Sequence, residues 1–157
     1  MLSVLIAVVV AFGSSGNGYM SPGPQATILT APLGQTIPLG DLKVEIEDLR
    51  AAKPADNPDN IPVLVGENLM VMHVALSNSA LSNYSGIVTY RLQDKNGIGP
   101  RARDVRPRSL NIQPATSVRL TALFTVDKGY VPTSLLVECS SCNAGNYKEV
   151  QFTISTP

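Results

Sequence analysis

From Ala26 onward the chain alternates apolar and polar residues in short runs, and each run stops at a cluster of turn-forming residues. Leu42, Val44 and Ile46 alternate with Lys43, Glu45 and Glu47, and Val88, Tyr90 and Leu92 alternate with Thr89, Arg91 and Gln93. Val118, Leu120, Ala122, Phe124 and Val126 alternate with Arg119, Thr121 and Thr125; Val150, Phe152 and Ile154 alternate with Gln151 and Thr153. A period of two puts successive side chains on opposite faces, the mark of a half-buried strand. Leu69 to Leu76 is apolar on both faces apart from His73, which predicts a central strand. Shorter candidates span Thr27–Thr30, Gln35–Leu39, Pro62–Val65 and Thr133–Glu138. Turns are predicted at Pro54 to Asn60, Lys95-Asn96-Gly97, Gln113-Pro114, Asp127-Lys128-Gly129 and Asn143-Ala144-Gly145. Nothing after the apolar start sustains a 3.6-residue period, so long helices are not expected. Short strands at this spacing over residues 26–157 predict an all-β, antiparallel β-sandwich of about seven to nine strands.

Composition narrows the function classes. The 157 residues suit one domain, and 12 Gly with 12 Pro punctuate the chain too often for a helical bundle. Twelve Lys plus Arg balance twelve Asp plus Glu. Nucleic acid is therefore not expected as a partner, because binding it needs a large positive field. One His and no Trp leave little catalytic or metal-binding material, and no motif brings a nucleophile, a base and an orienting group together. The expectation is a non-enzymatic protein with no cofactor.

Residues 2–12, LSVLIAVVVAF, are apolar except for Ser3. Eleven residues are too few for a transmembrane span, which needs about 20. Two readings fit. The first is an export signal over residues 1–13, with Ala11 and Gly13 as the small residues near the cleavage point, although no Lys or Arg precedes the run. The second is a retained strand in which β-branched Val4, Ile6, Val8 and Val10 complete the fold of a neighbouring copy, as in donor-strand fibres. No Cys follows the run, which argues against a lipid anchor, and residues 14–25 read as a Gly/Ser/Pro tether.

Several stretches together resemble a known family. They are Gly40-Asp41-Leu42-Lys43-Val44-Glu45-Ile46, then Gly66-Glu67-Asn68 leading into Met70–Asn78, and Tyr90 to Gly97. Leu110 to Pro114, Val118–Val126 and Thr133–Glu138 follow in order. Over residues 33–155 the chain resembles the telokin-like, immunoglobulin-type domain of secreted bacterial proteins and lipoproteins. In that family the long strand ends in Asn, as at Asn78, and a Leu-x-Asp-x-x-Gly turn follows, as at Leu92 to Gly97. Its Pro-Gly-Glu turn is replaced here by Pro114-Ala115-Thr116. The resemblance implies an extracellular or envelope immunoglobulin-like sandwich and supplies no catalytic residues.

The remaining features have competing readings. Cys139 and Cys142 sit in Cys-Ser-Ser-Cys, without the strand-to-helix setting of a redox motif and with only His73 as a further zinc ligand. A local disulfide is the expected state in an exported chain, with an intersubunit bond as the alternative. Met70, Met72 and His73 fall within four residues, yet alternation sends the two Met to one face and His73 to the other, which disfavours copper. Asp56, Asn57, Asp59 and Asn60 form an oxygen-rich loop that lacks the spaced carboxylates of an EF-hand and reads as a solvated turn. Asn83 opens an N-glycosylation acceptor, Asn83-Tyr84-Ser85. Arg101, Arg103, Arg106 and Arg108 concentrate positive charge for a surface polysaccharide, another polyanion or a subunit contact; the plainer reading is a charged loop or edge strand. The sequence thus predicts an exported, extracellular or cell-surface protein acting by binding or structure, through a protein partner in adhesion or through copies of itself in a pilus-like fibre.

Overall fold

The computed structural model describes residues 28–142 and 148–155. Within them, eleven strands form: β1 (Leu29–Pro32), β2 (Ile37–Leu39), β3 (Leu42–Ala51), β4 (Glu67–Asn78), β5 (Tyr84–Gly86), β6 (Val88–Gln93), β7 (Asp104–Arg106), β8 (Leu110–Ile112), β9 (Ser117–Asp127), β10 (Ser134–Cys139) and β11 (Glu149–Thr153). One sheet has the order β1-β11-β10-β6, the second β2-β3-β4-β9-β7, and β5 pairs with β8 alone. Every strand pair is antiparallel except β1 with β11. The series β3-β4-β9-β7 facing β6-β10-β11 has the A-B-E-D and C-F-G strand orders of an immunoglobulin-like sandwich.

The predicted alternation sets the two inner faces. Val44, Ile46, Met72, Val74, Leu120 and Phe124 from one sheet meet Tyr90, Leu92, Leu135, Val137, Val150 and Phe152 from the other. β4 lies in the middle of its sheet, as its two-sided apolar pattern predicts, and Met72 points into the core while His73 stays half-exposed outside.

The period breaks once with consequence. β3 pairs Ile46 with Val74 and then Asp48 with His73, so Glu47 is an extra residue in a β-bulge. Without the bulge Asp48 would share the inward face of Leu42, Val44 and Ile46. With it, Leu49 turns inward opposite Met72 and Asp48 turns out beside His73.

Four expectations change. Pro62–Val65 is not a strand: its apolar residues stand in solvent, Val65 fully so, because they find no strand partner. The strand expected at Gln35–Leu39 shortens to β2. The strand expected at Thr27–Thr30 is β1, two residues later. The three-residue strands β5, β7 and β8 raise the count above nine.

Two motif residues act as turn formers. Asn78 is buried, and its side-chain amide donates to the carbonyls of Ser82 and Ile112, both at 2.8 Å. Its Oδ1 accepts from Ala80 N–H at 2.9 Å, so it staples the end of β4 to the end of β8. Asp94 Oδ1 accepts from the N–H groups of Asn96 (2.8 Å) and Ile98 (3.0 Å), closing the turn that Gly97 completes at φ 75°. Those two backbone donors hold the Asp94 carboxyl below its ordinary range.

Candidate functional site

Val71 and Leu123 are buried although they point away from the main core. The β3–β4 loop accounts for their burial. It begins with a single 3-10 turn at Pro54–Asp56 and is fastened on both sides of the β4–β9 pair. On the β3 side, Arg50 makes two bonds to Asp56, at 2.7 and 3.1 Å. On the β7 side, Arg106 reaches Asp59 at 2.5 Å, and Arg103 donates to the Pro62 carbonyl at 3.1 Å. Asn57 stiffens the span by accepting from Ile61 N–H at 2.7 Å and donating to its carbonyl. The loop is thus tied down on both sides of the strands that carry Val71 and Leu123.

This arrangement joins two sequence clusters that had been read separately. The oxygen-rich loop is an exposed turn, as expected, but two of its carboxylates are engaged within the fold: Asp56 by Arg50, and Asp59 by Arg106. Hydrogen bonding by Arg50 and by Lys53 N–H pulls the Asp56 carboxyl down to about 2. Of the four clustered arginines, Arg106 sits on the edge strand β7 and also grips Asp104 at 2.6 Å. Arg103 serves the loop. Arg108 lies 3.5 Å from Asp104 and 3.9 Å from Asp59, carboxylates that Arg106 already holds more closely. Arg101 is exposed, has no acidic partner among the described residues, and faces Arg91 across an isolated bridge.

His73 gains the orienting partner that sequence cannot locate. Its Nδ1 lies 2.6 Å from Asp48 Oδ1, which also accepts the His73 backbone N–H at 3.3 Å. Thr121 lies opposite His73 in register, but among the described residues no hydroxyl or thiol is hydrogen-bonded to the other ring nitrogen. Among the described residues no group of three His, Cys, Asp or Glu side chains converges to hold a metal.

Cys139 and Cys142 form a disulfide. Its loop packs on the β2–β3 turn, where a Cβ on Gly40 (φ 60°) would overlap the Cβ of Cys142 and come within 2.7 Å of its sulfur. Tyr84 Oη bonds Ser141 Oγ at 2.9 Å and lies 3.3 Å from Cys139 Sγ. The chain approaches so closely here that a Cβ on Gly86 would meet Ser141 Oγ. Asn83 is exposed at this end, in the β4–β5 loop. Val4, Ile6, Val8 and Val10 lie outside the described residues, as do residues 1–13 as a whole and the turn expected at Asn143-Ala144-Gly145. The outer edge of β11 is filled by β1 of the same chain.

The opposite end presents a surface that periodicity did not reveal. Val63, Leu64 and Val65 from the β3–β4 loop, Ile98 from the β6–β7 loop and Val131 from the β9–β10 loop are all exposed. They are five of the eight large exposed apolar residues among those described. The loops are tied together: Lys128 N–H donates to the Gly66 carbonyl at 2.7 Å, and Tyr130 Oη donates to the Ile98 carbonyl at 3.2 Å.

No protein-family model matches the chain, and no curated protein matches it in sequence. Solved structures share its fold. MPT63, a secreted protein from Mycobacterium tuberculosis, matches with TM-score 0.57 at 17% identity, over 83% of this chain and 100% of its own. The yjhA protein from Bacillus subtilis matches with TM-score 0.55 at 13% identity, over 80% of this chain and 99% of its own. The ycdA protein of Bacillus subtilis, described as a candidate lipoprotein, matches with TM-score 0.54 at 19% identity over 76% of this chain. This chain spans only 38% of ycdA. At these identities the likeness is one of fold. Among the described residues no helix is long and apolar enough to cross a membrane.

Proposed function

We propose that this chain is an exported, non-enzymatic β-sandwich protein that binds a partner protein at the cell surface through the loop end bearing Val63, Leu64, Val65, Ile98 and Val131. The observation that carries the reading is that five exposed apolar side chains lie on three loops hydrogen-bonded to one another at one end of the sandwich. Soluble monomers keep exposed apolar surface scattered, so its concentration at one end supports an interaction surface there. Export is supported by the disulfide, which persists in oxidising compartments, by the apolar segment at residues 2–12, and by fold neighbours that include a secreted protein. The telokin-like assignment is supported by Asn78 and Asp94, whose side chains close the turns that the family pattern requires. Any polyanion contact falls to Arg101 and Arg108, since Arg103 and Arg106 are engaged within the fold. A pilus-like fibre finds no support in a domain whose β11 edge is already paired.

The test is a non-reducing intact mass of the protein from fractionated cells of its own host. The reading expects it outside the cytosol, two protons lighter than its reduced form. Cytosolic protein with two free thiols would overturn it.

A further inference from the structure

The open side of the sandwich holds a cleft created by the chain's own detour between sheets. Along the outer edge of β6, the Tyr90 carbonyl and Leu92 N–H are taken by Ala102 (2.8 Å) and Pro100 (3.0 Å). At the other side of the gap, Gly86 pairs with Leu110. Between these pairings the chain leaves β6, donating Arg103 N–H to the Leu123 carbonyl at 2.7 Å so that β7 can join β9 in the opposite sheet. A cleft of about 220 Å³ remains where the chain has departed.

Its lining changes from inside to outside. Leu110 and Leu120 are buried and Val105 partly so, whereas Ile87, Arg101 and Arg108 stand exposed at the rim. The free edge is only about three residues long, too short for a peptide to add as a strand. Both rim guanidiniums have capacity to spare. Arg101 has no acidic partner among the described residues and faces the like-charged Arg91, while Arg108 has only the two carboxylates that Arg106 already grips. An anion at this rim would form charge-assisted bonds to guanidiniums that have room to accept it.

We propose that this cleft is a binding site for a small amphipathic carboxylate. Its apolar body lies against Val105, Leu110 and Leu120, and its carboxylate sits at Arg101 and Arg108. An apolar enclosure with a few converging polar groups is the usual form of a small-molecule site.

The probe is octanoate, titrated into the full-length protein by calorimetry and by amide NMR, with octanol and octylamine as controls. The proposal expects saturable one-to-one binding of octanoate, with shifts centred on Val105, Leu110 and Leu120. Octanol should bind about tenfold more weakly and octylamine more weakly still, since a charge-assisted contact is worth about that factor. Arg101→Gln with Arg108→Gln should bring octanoate down to the octanol level, and the paired Lys variant should restore most of the difference. Ala102→Leu, which narrows the cleft, should abolish all binding while the other amide signals stay in place. Equal affinity for octanoate and octanol would overturn the anionic half of the proposal. Unsaturable binding, or shifts confined to the exposed loop end, would overturn the site itself.

Discussion

At one end of the sandwich the Cys139–Cys142 loop is wedged against Gly40, with Tyr84 and Ser141 hydrogen-bonded beside it and Asn78 stapling β4 to β8. At the other, three loops are joined by the Lys128–Gly66 backbone bond and by the Tyr130 and Arg103 side chains, and leave Leu64, Val65 and Ile98 in solvent. Both ends are ordered, but by different means. The first is closed by side chains that leave no room for a methyl group. The second is held by backbone hydrogen bonds together with Arg50, Arg103, Arg106 and Tyr130, while its apolar side chains stay in solvent. Substitutions at the first end should therefore cost stability, and substitutions at the second should cost interaction.

The comparison can be broken hardest at Gly40. Gly40→Val combines a positive φ with overlap against Cys142 and should destabilise the fold by about 3 kcal/mol, read as a fall in the denaturant midpoint at constant slope. Next is the disulfide itself. Closing a four-residue ring is worth about 2 kcal/mol in the chain-entropy model, so Cys139→Ser with Cys142→Ser should lower stability by that amount without abolishing folding. A smaller effect of opposite sign is expected at Tyr90, whose buried hydroxyl has no hydrogen-bond partner among the described residues. Burial pushes its phenol well above the ordinary value, with Tyr84 adding to the shift. Tyr90→Phe should stabilise by about 1 kcal/mol, because it removes an unsatisfied group and creates no cavity.

The loop clamp gives a pH-dependent contrast. Asp56 titrates at about 2 in the fold against 3.8 ordinarily, a depressed carboxylate. Its contribution is complete above about pH 4 and is lost as pH falls through about 2. A carboxyl NMR titration should follow this, and Arg50→Gln should return Asp56 toward its ordinary value, because the Arg50 hydrogen bonds are the main cause of the shift.

Much of the fold was legible because long strands with one buried face carry a period that local residues display. β3, β6, β9 and β11 fall on runs read from alternation, and β4 on the run that is apolar on both faces. What stayed hidden has physical reasons. A strand of three residues, such as β7, is too short to show a period, and Pro62–Val65 has strand composition but no partner to pair with. The Asp48–His73 pair depends on a one-residue bulge and on strands whose partners lie 25 positions apart. The inward turn of Leu49 after Glu47-Asp48 was the one local sign of that bulge. The arginine run and the Asp/Asn loop were each visible, yet nothing in either cluster says that one clamps the other. The exposed loop end escaped for a related reason: exposure of Leu64 or Ile98 follows from where neighbouring loops end, not from their own neighbours in sequence.

The measurement that bears most directly on the account compares the wild-type protein with Leu64→Asp, Val65→Asp in its own host, scoring surface-retained protein by quantitative immunoblot and stability by denaturant unfolding. Exposed substitutions away from packed features stay within about 0.5 kcal/mol. The account predicts at least a tenfold loss of surface retention with stability unchanged within that range, the inverse of what Gly40→Val does. Undiminished retention, or a loss of stability comparable to that of Gly40→Val, would contradict it.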